Sequence, residues 1–201
     1  PELIQLAISS ALIRKDKNEL LHRDWQGKRI LVTSGPTIES LDPARLITNR
    51  SSGRMGVMIA QAARFRGAQV DLIHGPLQLP QSWLEGLRTY PINDSLQMHQ
   101  TLNGLQPTAD AVVMAAAIAD LRKKGGSTPK KLSKESLLRS IGNQFEIVPD
   151  LLAEIVKRKL PGQILLGFAA LTGNDTQIKA IGIEKKVRKG CDLLMANPID
   201  R

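Results

Sequence analysis

From Lys28 onward the chain alternates short β-rich apolar runs with segments of helical periodicity, and this rhythm constrains it more than any other feature. RILVTS (29–34) is compact and β-rich, VMIAQAARFRG (57–67) places apolar residues at helical spacing and closes on Gly67, and AQVDLI (68–73) is strand-like again. A strand, loop, helix, strand unit is the building block of a parallel sheet, because parallel neighbours need a long crossover. The alternation continues with a weaker helix over 94–104, a strand at ADAVVMAAA (109–117) and a polar stretch from Asp120 to Lys134. A helix at PDLLAEIVKRK (149–159), a strand at QILLGFAA (163–170) and a helix at DTQIKAIGIEKKVRKG (175–190) then deliver the chain into CDLLMAN. The expected fold is α/β, a doubly wound Rossmann-like, mostly parallel sheet with helices on both faces.

The rhythm defines one domain over 28–201, and residues 1–27 read as an N-terminal helix, PELIQLAISSALI, followed by a charged linker. Because the chain starts with proline, it is expected to be a piece of something longer. Of the 201 residues 42% are hydrophobic but only 3% aromatic, so the core must be built from Ala, Val, Ile and Leu. No apolar run reaches the roughly 18 residues of a membrane span and no signal-peptide pattern opens the chain, so a cytoplasmic protein without membrane partners is expected. One cysteine, Cys191, and three scattered histidines exclude a disulfide scaffold and a Cys/His metal site. The net charge of +9 calls for a polyanionic partner or a solvated surface. Basic residues are dispersed and aromatics for base stacking are scarce, which argues against nucleic acid and for small phosphorylated molecules.

In open parallel sheets ligands bind beyond the carboxyl ends of the strands, so the segments after Ser34, Ala117 and Ala170 are where chemistry is expected. The first, Thr33 to Gly56, is read as a loop far longer than an ordinary strand–helix connection. Its Ser51-Ser52-Gly53 precedes a helix, where exposed N–H groups and the helix dipole favour a phosphate or carboxylate, although a plain N-cap is the alternative. Arg45, Asn49 and Arg50 add cations and an amide suited to a carbonyl or phosphate. In the second, Ala115, Ala116, Ala117 and Ala119 either leave room for a planar ring or face a bulky neighbour. Asp120 suits a ribose hydroxyl or Mg²⁺ accompanying polyphosphate. The following RKKGGSTPKKLSK is either a solvated charge run or a mobile lid over phosphates. In the third, Phe168 is core packing or a base-stacking surface, and Lys185 and Lys189, four apart on one helix face, are solvated or reach one polyphosphate.

Two other function classes compete. A dinucleotide-dependent oxidoreductase needs G-x-G-x-x-G, which Gly35, Gly53 and Gly56 do not form, and an acid after the second strand, where His74-Gly75-Pro76 stands instead. Asp71 lies inside that strand and is expected to face solvent. A basic nucleic-acid-binding module is the other.

TSGPT, LDPARLITNRSSGRMG, AAAIAD, KKLSK, VPDLLAEI, GFAALT and KKVRKGCDLLMAN together resemble phosphopantothenoylcysteine synthetase, from about Lys28 to Asp200. The resemblance implies a ligase of coenzyme A biosynthesis that joins 4′-phosphopantothenate to cysteine through an acyl-cytidylate made from CTP with Mg²⁺. By motif, Asn49 matches the family's catalytic asparagine, Lys131 its cytidylate-forming lysine, and Arg45 its substrate-side arginine, with Ser51, Ser52 and Gly53 beside it. Met114, Ala115, Ala116, Asp120, Val148, Pro149, Phe168, Lys185 and Lys189 match nucleotide-contacting positions, and Asp120 is the one metal candidate. The family's K-x-K-K loop is here Lys131-Leu132-Ser133-Lys134, its N-P-D is Val148-Pro149-Asp150, and Leu171 replaces an acid in G-F-A-A-E-T. FMN is implied only for a decarboxylase domain fused upstream. A homodimer is implied for the full-length protein, with a C-terminal dimerisation segment expected beyond Arg201.

Overall fold

A computed structural model describes residues 5, 24–140 and 143–199; the expected N-terminal helix and most of its linker lie outside the described residues. In chain order the elements are β1 (Arg29–Ser34), β2 (Ile38–Asp42), β3 (Arg45–Thr48), α1 (Arg54–Phe65), β4 (Gln69–His74), β5 (Arg88–Pro91), α2 (Ser95–Leu105) and β6 (Ala111–Met114). They continue with β7 (Leu121–Lys123), α3 (Lys134–Ser140), β8 (Phe145–Ile147), α4 (Leu151–Lys157), β9 (Ile164–Leu171), α5 (Asp175–Lys189) and β10 (Leu193–Pro198). Six strands form one sheet in the order β10-β9-β6-β1-β4-β5, and every pair is parallel. The order runs outward in both directions from β1, so the topology reverses between β1 and β6, the place where such sheets bind ligands.

Strand periodicity explains the layering. Ile30 and Val32 of β1 point to the side of Val57, Ala60 and Ala63 on α1, while Leu31 points oppositely, into a cluster with Ile73, Met98, Leu102, Val112, Leu152, Ile155 and Leu165. A strand covered on both sides reads as a continuous apolar run, which is why RILV was legible. The second cluster brings in α2 and α4, and α5 seals the same side at Ala169, Leu171 and Ile178. Leu171 is buried there, so the leucine extends the core.

Helix α1 lies close to β1 because Gly56 lacks a side chain. A Cβ built on it would stand 2.6 Å from Ser34 Cβ and Oγ and 2.9 Å from the Thr33 carbonyl oxygen. Alanine there would gain about 1 kcal/mol of helix propensity but overpack the contact, at a cost of roughly 1–3 kcal/mol. Gly56→Ala is therefore expected to lower the melting temperature by a few degrees in a thermal melt, and an unchanged or higher value would show that α1 can move away freely.

Four expectations need correction. The long loop after β1 holds an antiparallel hairpin, β2 with β3, whose register shifts between Ser40 and Asp42. The strand expected over 109–117 stops at Met114, because the following alanines turn to pair with the segment after β1. The polar stretch from Asp120 contains β7, which pairs with β8 in a second antiparallel ribbon. Asp71 does not face solvent: it is 6% exposed, accepts from Tyr90 Oη at 3.2 Å and sits 3.4 Å from the guanidinium groups of Arg29 and Arg88.

Candidate functional site

Two buried threonines fasten the switch point. Thr33 Oγ1 accepts from the Ala116 amide at 3.1 Å, and Thr37 Oγ1 accepts from the Ala119 amide at 2.9 Å. Between them Ala117 N–H donates to the Gly35 carbonyl at 2.9 Å, and Thr37 N–H donates to the Ala117 carbonyl at 3.2 Å. The alanine run after β6 is thus held almost residue by residue against the segment after β1. Small side chains permit this approach.

Asn49 enters from the end of the hairpin. Its Nδ2 donates to the Ile118 carbonyl at 2.9 Å, and Thr48 Oγ1 donates to the Thr37 carbonyl at 2.8 Å. One amide proton is used to fix the side chain, and Nδ2 carries a second. On the other side of the turn Ser34 Oγ donates to the Gly53 carbonyl at 2.6 Å, which draws the start of α1 over β1. Gly53 has φ 78° and supplies no side-chain cap to α1, and Ser51 and Ser52 bond locally to the amides of Gly53 and Arg54. The loop after β4 folds over this turn: Gln78 N–H donates to the Ser52 carbonyl at 3.1 Å, and a Cβ on Gly53 would meet Leu77 Cδ2 at 2.2 Å. A dinucleotide's ribose belongs beyond the second strand of such a sheet, and here apolar Leu77 closes against the glycine turn instead.

The lysine-rich segment rests on the hairpin tip. Asp42, 3% exposed, accepts from Ala44 N–H at 2.8 Å, from Leu132 N–H at 3.2 Å and from Arg45 Nη2 at 3.1 Å. Burial pushes the Asp42 carboxyl up, but the Ala44 and Leu132 amides and the Arg45 guanidinium outweigh it and hold the group below its ordinary value. Arg45 Nη2 also donates to the Leu132 carbonyl, while Arg45 Nε is buried without a partner. Thr128 contributes its N–H and its hydroxyl to the Leu41 carbonyl, each at 3.1 Å. Lys131 itself is exposed.

The remaining sequence candidates gather beside this crevice. Met114 is opposite Gly167 in the β6–β9 register, so Phe168 stands next to Ala115; it is half-buried, on the edge of the same apolar cluster as Ala115 and Leu166. Val148 N–H donates to the Asp120 carbonyl at 2.9 Å, which brings the exposed Asp120 together with Val148 and Pro149. Lys189 Nζ lies 2.8 Å from Asp150, which also caps α4 by accepting from the Ala153 amide. Burial raises the Asp150 carboxyl, and Lys189 together with the α4 amides lowers it further than that, leaving it below its ordinary value. Lys185, one turn earlier, is half-buried. Sequence reasoning missed Thr33, Thr37 and Asp42 as site residues. The available signal was their place inside TSGPT and LDPAR.

Among the described residues no group of three or more His, Cys, Asp or Glu side chains could hold a metal ion, and no helix is long and apolar enough to cross a membrane.

Residues 25–201 match the family described as the DNA/pantothenate metabolism flavoprotein C-terminal domain. The chain belongs to that family. Relatives named coenzyme A biosynthesis bifunctional protein CoaBC include that of Thermococcus kodakarensis, 38% identical over 88% of this chain and 43% of its own length. That of Escherichia coli K12 is 34% identical over 89% of this chain and 43% of its own length. This member of the flavoprotein C-terminal domain family spans less than half the length of those relatives. A crystal structure of the C-terminal domain of CoaBC, 32% identical, superposes with a TM-score of 0.68 over 84% of this chain and 76% of that one. A structure titled as a Cab2 mutant in complex with phosphopantothenate-cysteine has a TM-score of 0.70 over 98% of this chain and 78% of its own, and at 16% identity shares the fold.

Proposed function

We propose that this domain catalyses the ligase reaction of coenzyme A biosynthesis, joining 4′-phosphopantothenate to cysteine at the expense of CTP. The family and the names of its relatives support the reading. The observation that carries it is that one hairpin ties down both groups: Asn49, just past its second strand, donates to the Ile118 carbonyl in the loop after β6, and its tip holds the lysine segment at Leu132. In the first half-reaction a carboxylate oxygen of 4′-phosphopantothenate attacks the α-phosphorus of CTP, and the bond to pyrophosphate breaks. Lys131 is the cation assigned to the charge that builds on the phosphoryl oxygens. Ala115 and Phe168, on the edge of one apolar cluster, are assigned to the base together with the neighbouring Ala116, and Lys185 and Lys189 are the further cations. In the second half-reaction the amine of cysteine attacks the acyl carbonyl, CMP departs and the amine loses a proton. Asn49, anchored by Ile118, has an N–H to offer the carbonyl oxygen as it becomes an oxyanion. Arg45 and the Ser51-Ser52-Gly53 turn are assigned to the acyl substrate. Mg²⁺, which would supply charge neutralisation, fits only through Asp120 together with phosphate oxygens of the nucleotide, since one carboxylate is what the residues present provide.

Nucleotide choice is testable by thermal shift. At about a hundred times its dissociation constant a ligand adds roughly 2.7 kcal/mol, which in a domain of this size is on the order of 5–10 °C. CTP with Mg²⁺ is expected to raise the melting temperature by more than ATP does at equal concentration. An equal or larger shift with ATP would remove the pyrimidine assignment. Stabilisation by NADPH alone, or by oligonucleotides alone, would replace the ligase with the oxidoreductase or the nucleic-acid module.

A further inference from the structure

We propose that Asp42 is a positioning residue for Lys131, acting through the backbone of Leu132; the proposal rests on the ligase reading. Asp42 closes β2, and the register shift after Ser40 brings its carboxylate beneath the hairpin tip, where none of the side chain is exposed. From there it accepts the Leu132 N–H at 3.2 Å, while Arg45, held by the same carboxylate at 3.1 Å, donates to the Leu132 carbonyl. Both polar groups of one residue are thereby gripped, and that residue is the immediate neighbour of Lys131. Four residues upstream Thr128 is tied to the Leu41 carbonyl through its N–H and its hydroxyl. Residues 128–132 are therefore stitched along the hairpin tip. The turn before them holds Gly125 and Gly126 at φ of 71° and 81°, a left-handed backbone that glycine favours.

The chemistry explains why a carboxylate stands at position 42. Its two oxygens accept three donors at once, from Ala44, Leu132 and Arg45. An asparagine keeps one acceptor and turns an NH₂ group toward a donor, so it loses an arm of the grip and leaves the Arg45 charge without its partner. A long lysine on a free loop searches a wide volume. A lysine whose backbone is fixed reaches the same point at each turnover, and misplacement of a reacting group by about 1 Å can cost on the order of 100-fold in rate.

The test compares the parent with Asp42→Asn and, because a change at a buried charge can impair folding, with Thr128→Val, which loosens the same segment from its other end. Hydrogen exchange at the Leu132 and Thr128 amides is measured without nucleotide, alongside CTP-dependent pyrophosphate release and, from supplied acyl-cytidylate, amide formation. Exchange at Leu132 is expected to rise in Asp42→Asn and, to a smaller extent, in Thr128→Val. Pyrophosphate release is expected to fall by roughly 10- to 100-fold in Asp42→Asn, mostly in kcat, with amide formation from supplied intermediate much less affected. Unchanged exchange in a folded Asp42→Asn, or in Thr128→Val if Asp42→Asn does not fold, overturns the grip. Raised exchange with normal pyrophosphate release, or an equal loss in both half-reactions, overturns the positioning role. If the parent releases no pyrophosphate with CTP, the ligase reading fails, while the exchange measurement still decides the grip.

Discussion

Lys131→Gln is expected to abolish pyrophosphate release while the protein remains folded and its lysine segment stays in place. The side chain of Lys131 is exposed, and the contacts that seat its segment are made by the backbone of Leu132 and by Thr128. Substituting the side chain therefore leaves Asp42 and Arg45 their partners. Glutamine keeps most of the length and a hydrogen-bond donor, so what is lost is the positive charge. In phosphoryl-type transfer little covalent chemistry falls to the protein, and a cation on the developing charge is worth about 10³–10⁵ in rate. Three of the other cations are already engaged. Lys189 is engaged with Asp150, Arg45 with Asp42, and Lys123 donates to the Gly126 carbonyl at 3.2 Å. The measurement is the rate of pyrophosphate release from CTP and 4′-phosphopantothenate in the full-length protein. A normal rate in Lys131→Gln would assign the charge to another residue.

The sheet was legible because each of its inner strands is covered on both faces and each helix packed on it has one apolar side, so pattern and burial coincide. RILV, QVDLI and ILLG appear at almost the expected places, and Asp150 and Gly190 stand at the helix ends as an N-cap and a left-handed C-cap. The two ribbons were not legible. β2 does not alternate cleanly, with Glu39 tucked inward to accept the Ser95 amide at 2.8 Å, and β3 alternates in burial but turns the apolar Leu46 to the exposed side. β7 and β8 have three residues each, too few for a period of two to show. Asp71 was misread for a related reason. A lone acid inside an apolar run is assigned to solvent, yet Arg29, Arg88 and Tyr90, distant in sequence, converge to satisfy it. At the site, motifs supplied the residues proposed to touch substrate. The residues that hold those in place, Thr33, Thr37 and Asp42, act through backbone atoms far along the chain, and no local pattern records such bonds.

The same distinction between touching and holding sharpens what is expected of Asn49. Its Nδ2 is already committed once, to the Ile118 carbonyl at 2.9 Å, and that bond places the side chain over the loop where Ala115, Ala116 and Asp120 stand. Asn49→Asp changes one atom, replacing the donor by an oxygen. The carboxylate would repel the Ile118 carbonyl, and it would repel the acyl oxygen as cysteine attacks, when that oxygen turns negative. In the earlier attack on phosphorus no charge develops at the acyl oxygen's side of the site, so this donor is not needed there. Asn49→Asp is therefore expected to form acyl-cytidylate and release pyrophosphate, yet to convert the intermediate to the amide about 10²–10³ times more slowly, the usual loss for one oxyanion donor. The intermediate should accumulate and be trapped on quenching. The repulsion at Ile118 raises a second outcome, a disturbed nucleotide loop, and the CTP-induced thermal shift separates the two. A variant that keeps the parent's shift and accumulates cytidylate assigns Asn49 to the second step. A variant that loses the shift and blocks pyrophosphate release as fully as Lys131→Gln assigns it instead to holding the loop after β6, and the division of the two half-reactions between Lys131 and Asn49 falls.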